Sequence, residues 1–164
     1  ADPAKRSDGD IREALALLAE LNTMAPVELC INLSEAQRLD AVLGTARLSG
    51  ADEQTPGARI AGAAEALRGS ALVDTVQIHL RRGAGAADGS EASWFDGPFT
   101  ASPRLSTGAG DHFNGGFAVG RSLGLGLAQS LAIGCATSGA YVRDAESPSR
   151  ERVVEFLRGL PGPE

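Results

Sequence analysis

Two short apolar runs, residues 27–33 and 72–80, limit the folds open to this chain most strongly. Near-continuous apolar runs of this length are typical of strands that are covered on both faces of a parallel sheet. Residues 11–24 repeat apolar side chains at intervals of three and four, which predicts an amphipathic helix before the first strand. Further helices are predicted at 35–43 and 58–67, between the strands. This alternation predicts an α/β protein with helices on both faces of a sheet, a three-layer α/β/α arrangement.

The C-terminal half of the chain predicts an edge hairpin and three more helices. Residues 85–99 hold short alternating pieces separated by glycines, which is typical of hairpin strands at a sheet edge. Helices are predicted at 111–123, 127–141 and 148–157. No internal repeat interrupts this order, so residues 1–164 are expected to belong to one fold unit rather than to an array of repeats.

Composition removes several functional classes. The net charge of −6 argues against a nucleic-acid surface, and no apolar run approaches the ~20 residues of a membrane span. The start of the chain has no apolar signal-peptide core, so a cytoplasmic protein is expected. Cys30 and Cys135 each sit in an apolar segment, which favours buried free thiols. The chain's one lysine, Lys5, lies far from any glycine-rich loop, which excludes a P-loop.

Residues 106–117, Ser-Thr-Gly-Ala-Gly-Asp-His-Phe-Asn-Gly-Gly-Phe, carry the main chemical signal. A turn of small residues lets backbone N–H groups converge, and a helix that starts near Asp111 adds free N–H groups and the positive end of its dipole. This pattern predicts an anion site. A carboxylate beside a bound phosphate needs a chemical reason, such as taking the proton of an attacking hydroxyl. The alternative, which the spacing leaves open, is a plain turn with Asp111 as a helix N-cap.

The same segment resembles the C-terminal signature of the PfkB (ribokinase-like) carbohydrate kinases, through Thr107-Gly108-Ala109-Gly110-Asp111, Phe113 and Gly116-Phe117. The resemblance implies a ribokinase-like α/β/α sheet of which this chain is the C-terminal portion. It also implies an anion hole formed by Gly108, Ala109 and Gly110, with Asp111 as the catalytic base. Thr107 would then be a nucleotide-binding residue, with ATP as the phosphoryl donor.

Asn32-x-x-Glu35, at the end of the first predicted strand, resembles a second motif of that family. The resemblance implies that Asn32 and Glu35 organise the phosphates and the Mg²⁺ shell, with Glu35 acting through metal-bound water. A structural interpretation exists beside it, because Ser34 with Gln37 three residues later makes a capping box. Both can hold, and the position after a strand favours the functional interpretation.

Residues 81–85 resemble the family's strand-to-loop step beside the nucleotide, although His79-Leu80-Arg81 stands where the family usually shows Thr-x-Gly. His79, Arg82 and Gly83 are therefore candidate nucleotide contacts. A histidine at a strand end is also a common structural residue. Trp94 could stack on a base, but burial against the sheet is expected.

The resemblance covers nearly the whole sequence but only the C-terminal half of the family fold. In the family, a stretch similar to Asp2-Pro3-Ala4-Lys5-Arg6 follows a central strand partway along the chain. The chain is therefore expected to be a fragment that lacks the N-terminal half, which bears most sugar-binding residues and the lid. That half is an expected partner, and a homodimer is expected to be possible in the intact protein.

The function implied is ATP-dependent phosphorylation of a hydroxyl on a sugar or nucleoside-like molecule. The alternative is a catalytically incompetent nucleotide-binding fragment that needs a partner chain. A dinucleotide oxidoreductase is disfavoured, because neither Gly83-x-Gly85 nor Gly108-x-Gly110 completes G-x-G-x-x-G. One departure concerns a monovalent cation: many relatives place an aspartate that helps to hold it where this chain has Leu105. We therefore expect little dependence on potassium, with the loop held by packing of Leu105.

Overall fold

The computed structural model describes residues 6–160, and within that part of the chain helices and strands alternate as predicted. The helices are α1 (Asp8–Asn22), α2 (Leu33–Leu43), α3 (Gly57–Ala71), α4 (Ala109–Ser122), α5 (Leu127–Asp144) and α6 (Arg150–Arg158). The strands are β1 (Glu28–Asn32), β2 (Thr75–Leu80), β3 (Gly83–Ala87) and β4 (Ala92–Asp96). The strand order is β1-β2-β3-β4, and β1 and β2 are parallel. The turn predicted at Asp2-Pro3 lies outside the described residues.

The chain divides into two compact units. The first consists of Ala1–Leu80 with Gly85–Ser93, and the second of Arg81–Ala84 with Trp94–Glu164. β3 and β4 each begin in one unit and end in the other.

The first unit builds its core from apolar faces of helices and the two parallel strands. α1 begins before the predicted Ile11 because Ser7 caps it, with Asp10 completing a capping box. β2 begins later than predicted, at Thr75, because Leu72 takes a left-handed conformation (φ 56°) at the end of α3 and is exposed. Within β2, Thr75, Val76, Gln77 and Ile78 are buried, as expected for a strand covered on both faces.

The second unit is built on the packing of α4 against α5. A Cβ atom added at Gly116 would lie 2.9 Å from the carbonyl oxygen of Ile133 and 2.5 Å from Oγ1 of Thr137, so only glycine lets the helices approach this closely. Gly115 faces open space instead, with no atom within 4 Å of its added Cβ. On another face of α5, Phe156 of α6 packs against Ala136 and Ala140.

Both cysteines are free thiols, as predicted; Cys135 is buried, whereas Cys30 is only half-buried. Burial raises the pKa of Cys30 to about 11, although a hydrogen bond from Gln77 to its sulfur opposes part of the shift. Burial likewise raises the pKa of Cys135 to about 12. Neither thiol is a thiolate nucleophile at neutral pH.

The paired glycines of α4 give a first prediction. Gly116→Ala should lower the free energy of unfolding by about 1–3 kcal/mol, because the new methyl group overpacks the contact with α5. Gly115→Ala should raise it by up to about 1 kcal/mol, because it restores helix propensity in open space. Urea unfolding of the two variants measures both, and a stabilised Gly116→Ala would contradict the close contact of the helices.

Candidate active site

The glycine-rich turn leads directly into α4 and leaves backbone donors available. Gly108 has φ 88° and is the N-cap residue of α4, with no side chain capping the helix. The N–H of Ala109 donates to the carbonyl of Ser106 (3.2 Å), and that of His112 donates to the carbonyl of Gly108 (3.1 Å). Within residues 6–160, no protein group accepts from the N–H groups of Gly110 and Asp111. Two adjacent open donors at the positive end of a helix dipole favour an anion.

Asp111 lies in the first turn of α4 and is exposed. The interpretation of Asp111 as the N-cap is wrong, because the left-handed Gly108 starts the helix earlier than the predicted Asp111. No described group donates a hydrogen bond to the Asp111 carboxylate. A free carboxylate beside open N–H donors can accept a proton or a hydrogen bond from a bound molecule.

Two aromatic side chains, which sequence reasoning missed, contact the same turn. The ring of His112 stacks on that of Tyr141, with centroids 3.7 Å apart and planes 12° apart. His112 Nδ1 lies 2.8 Å from the carbonyl oxygen of Gly108, and its Nε2 lies 2.9 Å from Oγ of Ser147. The Tyr141 hydroxyl donates to the carbonyl of Thr107 (2.7 Å). Thr107 is exposed, so both its side chain and the turn remain accessible.

The loop after α5 borders an open cleft of about 560 Å³, lined by Asp144, Glu146, Ser147, Pro148, Ser149 and Arg152. The hydrogen bonds of Arg152 (2.7 and 3.1 Å) hold the pKa of Asp144 below its ordinary value. Asp144, one of the two acids that line the cleft, is therefore paired with Arg152, and Ser147 connects the cleft to the glycine-rich turn through His112.

Asn32 and Glu35 themselves form the capping box of α2. Oδ1 of Asn32 accepts from the N–H of Glu35 (2.9 Å), and Oε2 of Glu35 accepts from the N–H of Asn32 (2.9 Å). The predicted box of Ser34 and Gln37 is wrong, because α2 begins at Leu33, directly after β1, so that Asn32 is its N-cap. Gln37 instead donates to the carbonyl of Ala51 (2.7 Å).

His79 lies beside Asn32, because the two residues are partners in the parallel register of β1 and β2. Asn32, Glu35 and His79 thus fall in the first unit, whereas Thr107 to Asp111 and the pair Arg82 and Gly83 fall in the second.

The predicted loop at 81–85 is wrong, because Gly83 begins β3 and only Arg81 and Arg82 separate β2 from β3. Gly83 is buried, and a Cβ atom there would meet the carbonyl oxygen of Phe95 at 2.4 Å. The guanidinium of Arg82 lies over the ring of Trp94, 5.8 Å from its centroid. Trp94 is half-buried, and its Nε1 donates to Asp96 (2.8 Å).

Residues 6–160 contain neither a metal cluster nor a membrane-spanning helix. No three or more His, Cys, Asp or Glu side chains are gathered there in a form that could hold a metal ion. None of the helices in this part of the chain combines the length and the apolar character needed to cross a membrane.

Comparison with known proteins gives a family and a fold. The family model for prokaryotic ketohexokinase matches residues 1–160. A curated relative, ketohexokinase from Haloferax volcanii, is 42% identical over 62 residues, which make up 38% of this chain and 16% of that protein.

Solved structures match over most of the chain. Phosphofructokinase-2 from Escherichia coli matches with a TM-score of 0.67 at 19% identity, over 94% of this chain and 45% of that one. A nucleoside kinase from Methanocaldococcus jannaschii matches with a TM-score of 0.67 at 20% identity, over 96% of this chain and 46% of that one. Ribokinase from Thermotoga maritima matches with a TM-score of 0.59 at 26% identity, over 79% of this chain and 42% of that one. The chain thus has the predicted ribokinase-like fold and spans less than half the length of these solved relatives.

The capping box of α2 gives a second prediction. Asn32→Ala should lower the free energy of unfolding by about 1 kcal/mol, because it leaves the N–H of Glu35 without its acceptor. Ser34→Ala is the matched control and should change stability little, because Ser34 is exposed and follows the cap. Chemical unfolding of both variants checks this, and equal losses would contradict the assignment of Asn32 as the cap.

Proposed function

The chain belongs to the prokaryotic ketohexokinase family, and from that membership we propose that it takes part in phosphoryl transfer from ATP to a sugar hydroxyl. The substrate class we propose is a ketohexose, as the names of the family and of the Haloferax volcanii relative suggest. The nucleoside-like acceptor considered from the sequence has support only from fold likeness.

One observation carries the proposal: the open N–H groups of Gly110 and Asp111 stand beside the free carboxylate of Asp111. In phosphoryl transfer, negative charge spreads over the oxygens of the phosphoryl group that is being transferred. Donors that are already oriented stabilise that charge without reorganisation. Gly108 and Ala109 contribute the left-handed turn and the helix start that aim these donors, so we propose residues 108–111 as the anion hole.

We assign Asp111 as the catalytic base. Its carboxylate would accept the proton of the attacking hydroxyl as the new O–P bond forms and the bond to the departing ADP oxygen breaks. A carboxylate is a weak base, but in a loose transition state the hydroxyl can lose its proton late. Alignment of the hydroxyl by Asp111 then matters more than the basicity of the carboxylate.

Mg²⁺ would reach this chain through Glu35. One carboxylate oxygen of Glu35 is held by the N–H of Asn32, which leaves the other to orient a metal-bound water. When bound, the ion would offset charge between the β- and γ-phosphates. A lone carboxylate fits an indirect role rather than a full protein cage.

The remaining candidates contribute to nucleotide binding in this proposal. His79 and Arg82 supply imidazole and guanidinium groups suited to phosphate, and Thr107 supplies an exposed hydroxyl next to the anion hole. Gly83 has no direct contact with the nucleotide in this proposal, because Phe95 and Trp94 close over it. The polar cleft beside Ser147 is the place we propose for the part of the nucleotide beyond its phosphates.

We keep as a second proposal the alternative considered from the sequence, a nucleotide-binding chain that needs a partner chain. The chain would then bind nucleotide without turning it over, and a partner chain would complete the acceptor site. ATP binding without sugar phosphorylation in the full gene product would select this second function.

Asp111→Asn in the full gene product tests the proposed function. Turnover should fall by about 10²-fold or more, because the proton acceptor is lost, while ATP affinity should stay equal or rise. Asp8→Asn, which removes an exposed acid from the first turn of α1, is the matched control and should leave turnover unchanged. Sugar-dependent ADP release measures turnover, and calorimetric titration measures ATP affinity. Unchanged turnover in Asp111→Asn would contradict the assignment of Asp111 as the base.

Potassium should have almost no effect on that activity. Leu105 offers no oxygen ligand, and the carbonyl of Asp144, the last residue of α5, already accepts from the guanidinium of Arg104 (3.2 Å). Leu105 is 37% exposed, so part of the residue is covered, and the N–H groups of Arg104 and Leu105 also donate to the carbonyl of Val142. Rates in potassium chloride and in tetramethylammonium chloride at equal ionic strength should agree. Potassium activation of about tenfold would contradict this.

A further inference from the structure

The availability of the Asp111 N–H depends on where one carbonyl group points. In an α-helix, the N–H of Asp111 would bond to the carbonyl four residues earlier, which is that of Thr107. That bond is absent within the described residues, and the Thr107 oxygen accepts instead from the Tyr141 hydroxyl at 2.7 Å. Tyr141 comes from α5 and is 8% exposed, so its hydroxyl is held in a fixed place.

His112 fixes both the tyrosine ring and the neighbouring carbonyl. Its ring lies flat on that of Tyr141. A carbonyl oxygen can only accept, so His112 Nδ1 carries the hydrogen directed at Gly108, and in the neutral ring Nε2 accepts from the Ser147 hydroxyl. The Gly108 oxygen therefore takes two bonds from His112, one from its backbone and one from its ring.

We propose that Tyr141 and His112 are positioning residues for the anion hole. Tyr141 holds the Thr107 carbonyl away from the Asp111 N–H, and His112 holds Tyr141 and the Gly108 carbonyl in place. Without them, α4 gains a residue at its start and the Asp111 donor is used inside the protein. The inference rests on the proposed function, because a phosphate group is what the open donor would bind.

The test uses the 164-residue chain and its variant Tyr141→Phe, which keeps the stacked ring and removes only the hydroxyl. Ser122→Ala is the matched control, because Ser122 also gives a hydroxyl to a carbonyl, that of Ala118 (2.8 Å), but at the far end of α4. His112→Asn can keep a donor directed at Gly108, whereas His112→Ala cannot.

Two measurements are needed. Amide hydrogen exchange by NMR, without nucleotide, should slow at Asp111 in Tyr141→Phe, because the freed Thr107 carbonyl now accepts its N–H. If the substitution only destabilised the surrounding structure, exchange at Asp111 would become faster instead. Titration with ATP·Mg²⁺ and with AMP should show that Tyr141→Phe reduces the preference for ATP about tenfold, the worth of one hydrogen bond to a charged group. His112→Ala should reduce that preference, His112→Asn should restore part of it, and Ser122→Ala should change neither quantity.

Unchanged or faster exchange at Asp111 in Tyr141→Phe would overturn the inference whatever the nucleotide result. Slower exchange at Asp111 with an unaltered preference for ATP would also overturn it, because Tyr141 would then affect the backbone without affecting phosphate binding. If the unaltered chain shows no preference for ATP over AMP, the phosphate role proposed for Tyr141 and His112 is overturned, whereas turnover in the full gene product tests the proposed function separately. The exchange result then still reports separately on the backbone geometry.

Discussion

The close approach of α4 and α5 is the constraint on which the second unit depends. It is made by glycines: a Cβ atom at Gly120 would lie 2.8 Å from the Cα of Ser130, and one at Gly134 would lie 3.0 Å from the carbonyl oxygen of Phe113. Because the backbones meet at this distance, a tyrosine near the end of α5 reaches the turn at the start of α4. The geometry of the glycine-rich turn is therefore a product of helix packing as much as of the turn sequence.

Periodicity predicted nearly all helices and strands, but it could not locate their first residues. The start of α4 depends on a left-handed Gly108, and nothing in the spacing distinguishes that glycine from Gly110. The cap of α2 was misassigned because the end of β1 could not be placed to the residue, and a shift of that boundary moves the box from Asn32 to Ser34. Short-range pattern thus predicts elements, whereas tertiary contacts decide where each begins.

The segment with the strongest motif match, residues 107–111, lies at the start of α4, close to where the sequence placed a helix start. Its role as an anion site stays a prediction. His112 and Tyr141 could not be found in the same way, since their relation spans α4 and α5 and leaves no local spacing signal. Gly83 was assigned to a loop because a glycine beside two arginines suggests one. In the structure it begins β3, where Trp94 packs so closely that a side chain would not fit.

The raised pKa values of the two thiols have a practical consequence. With pKa values of about 11 and 12, Cys30 and Cys135 each hold at least roughly a hundredfold less thiolate at neutral pH than an ordinary cysteine would. Both should therefore react with maleimides more slowly than an exposed cysteine of ordinary pKa. A single cysteine introduced at the exposed Ser102 would then be the preferred site for a fluorophore. Nucleotide binding could be followed by fluorescence without first replacing Cys30 and Cys135.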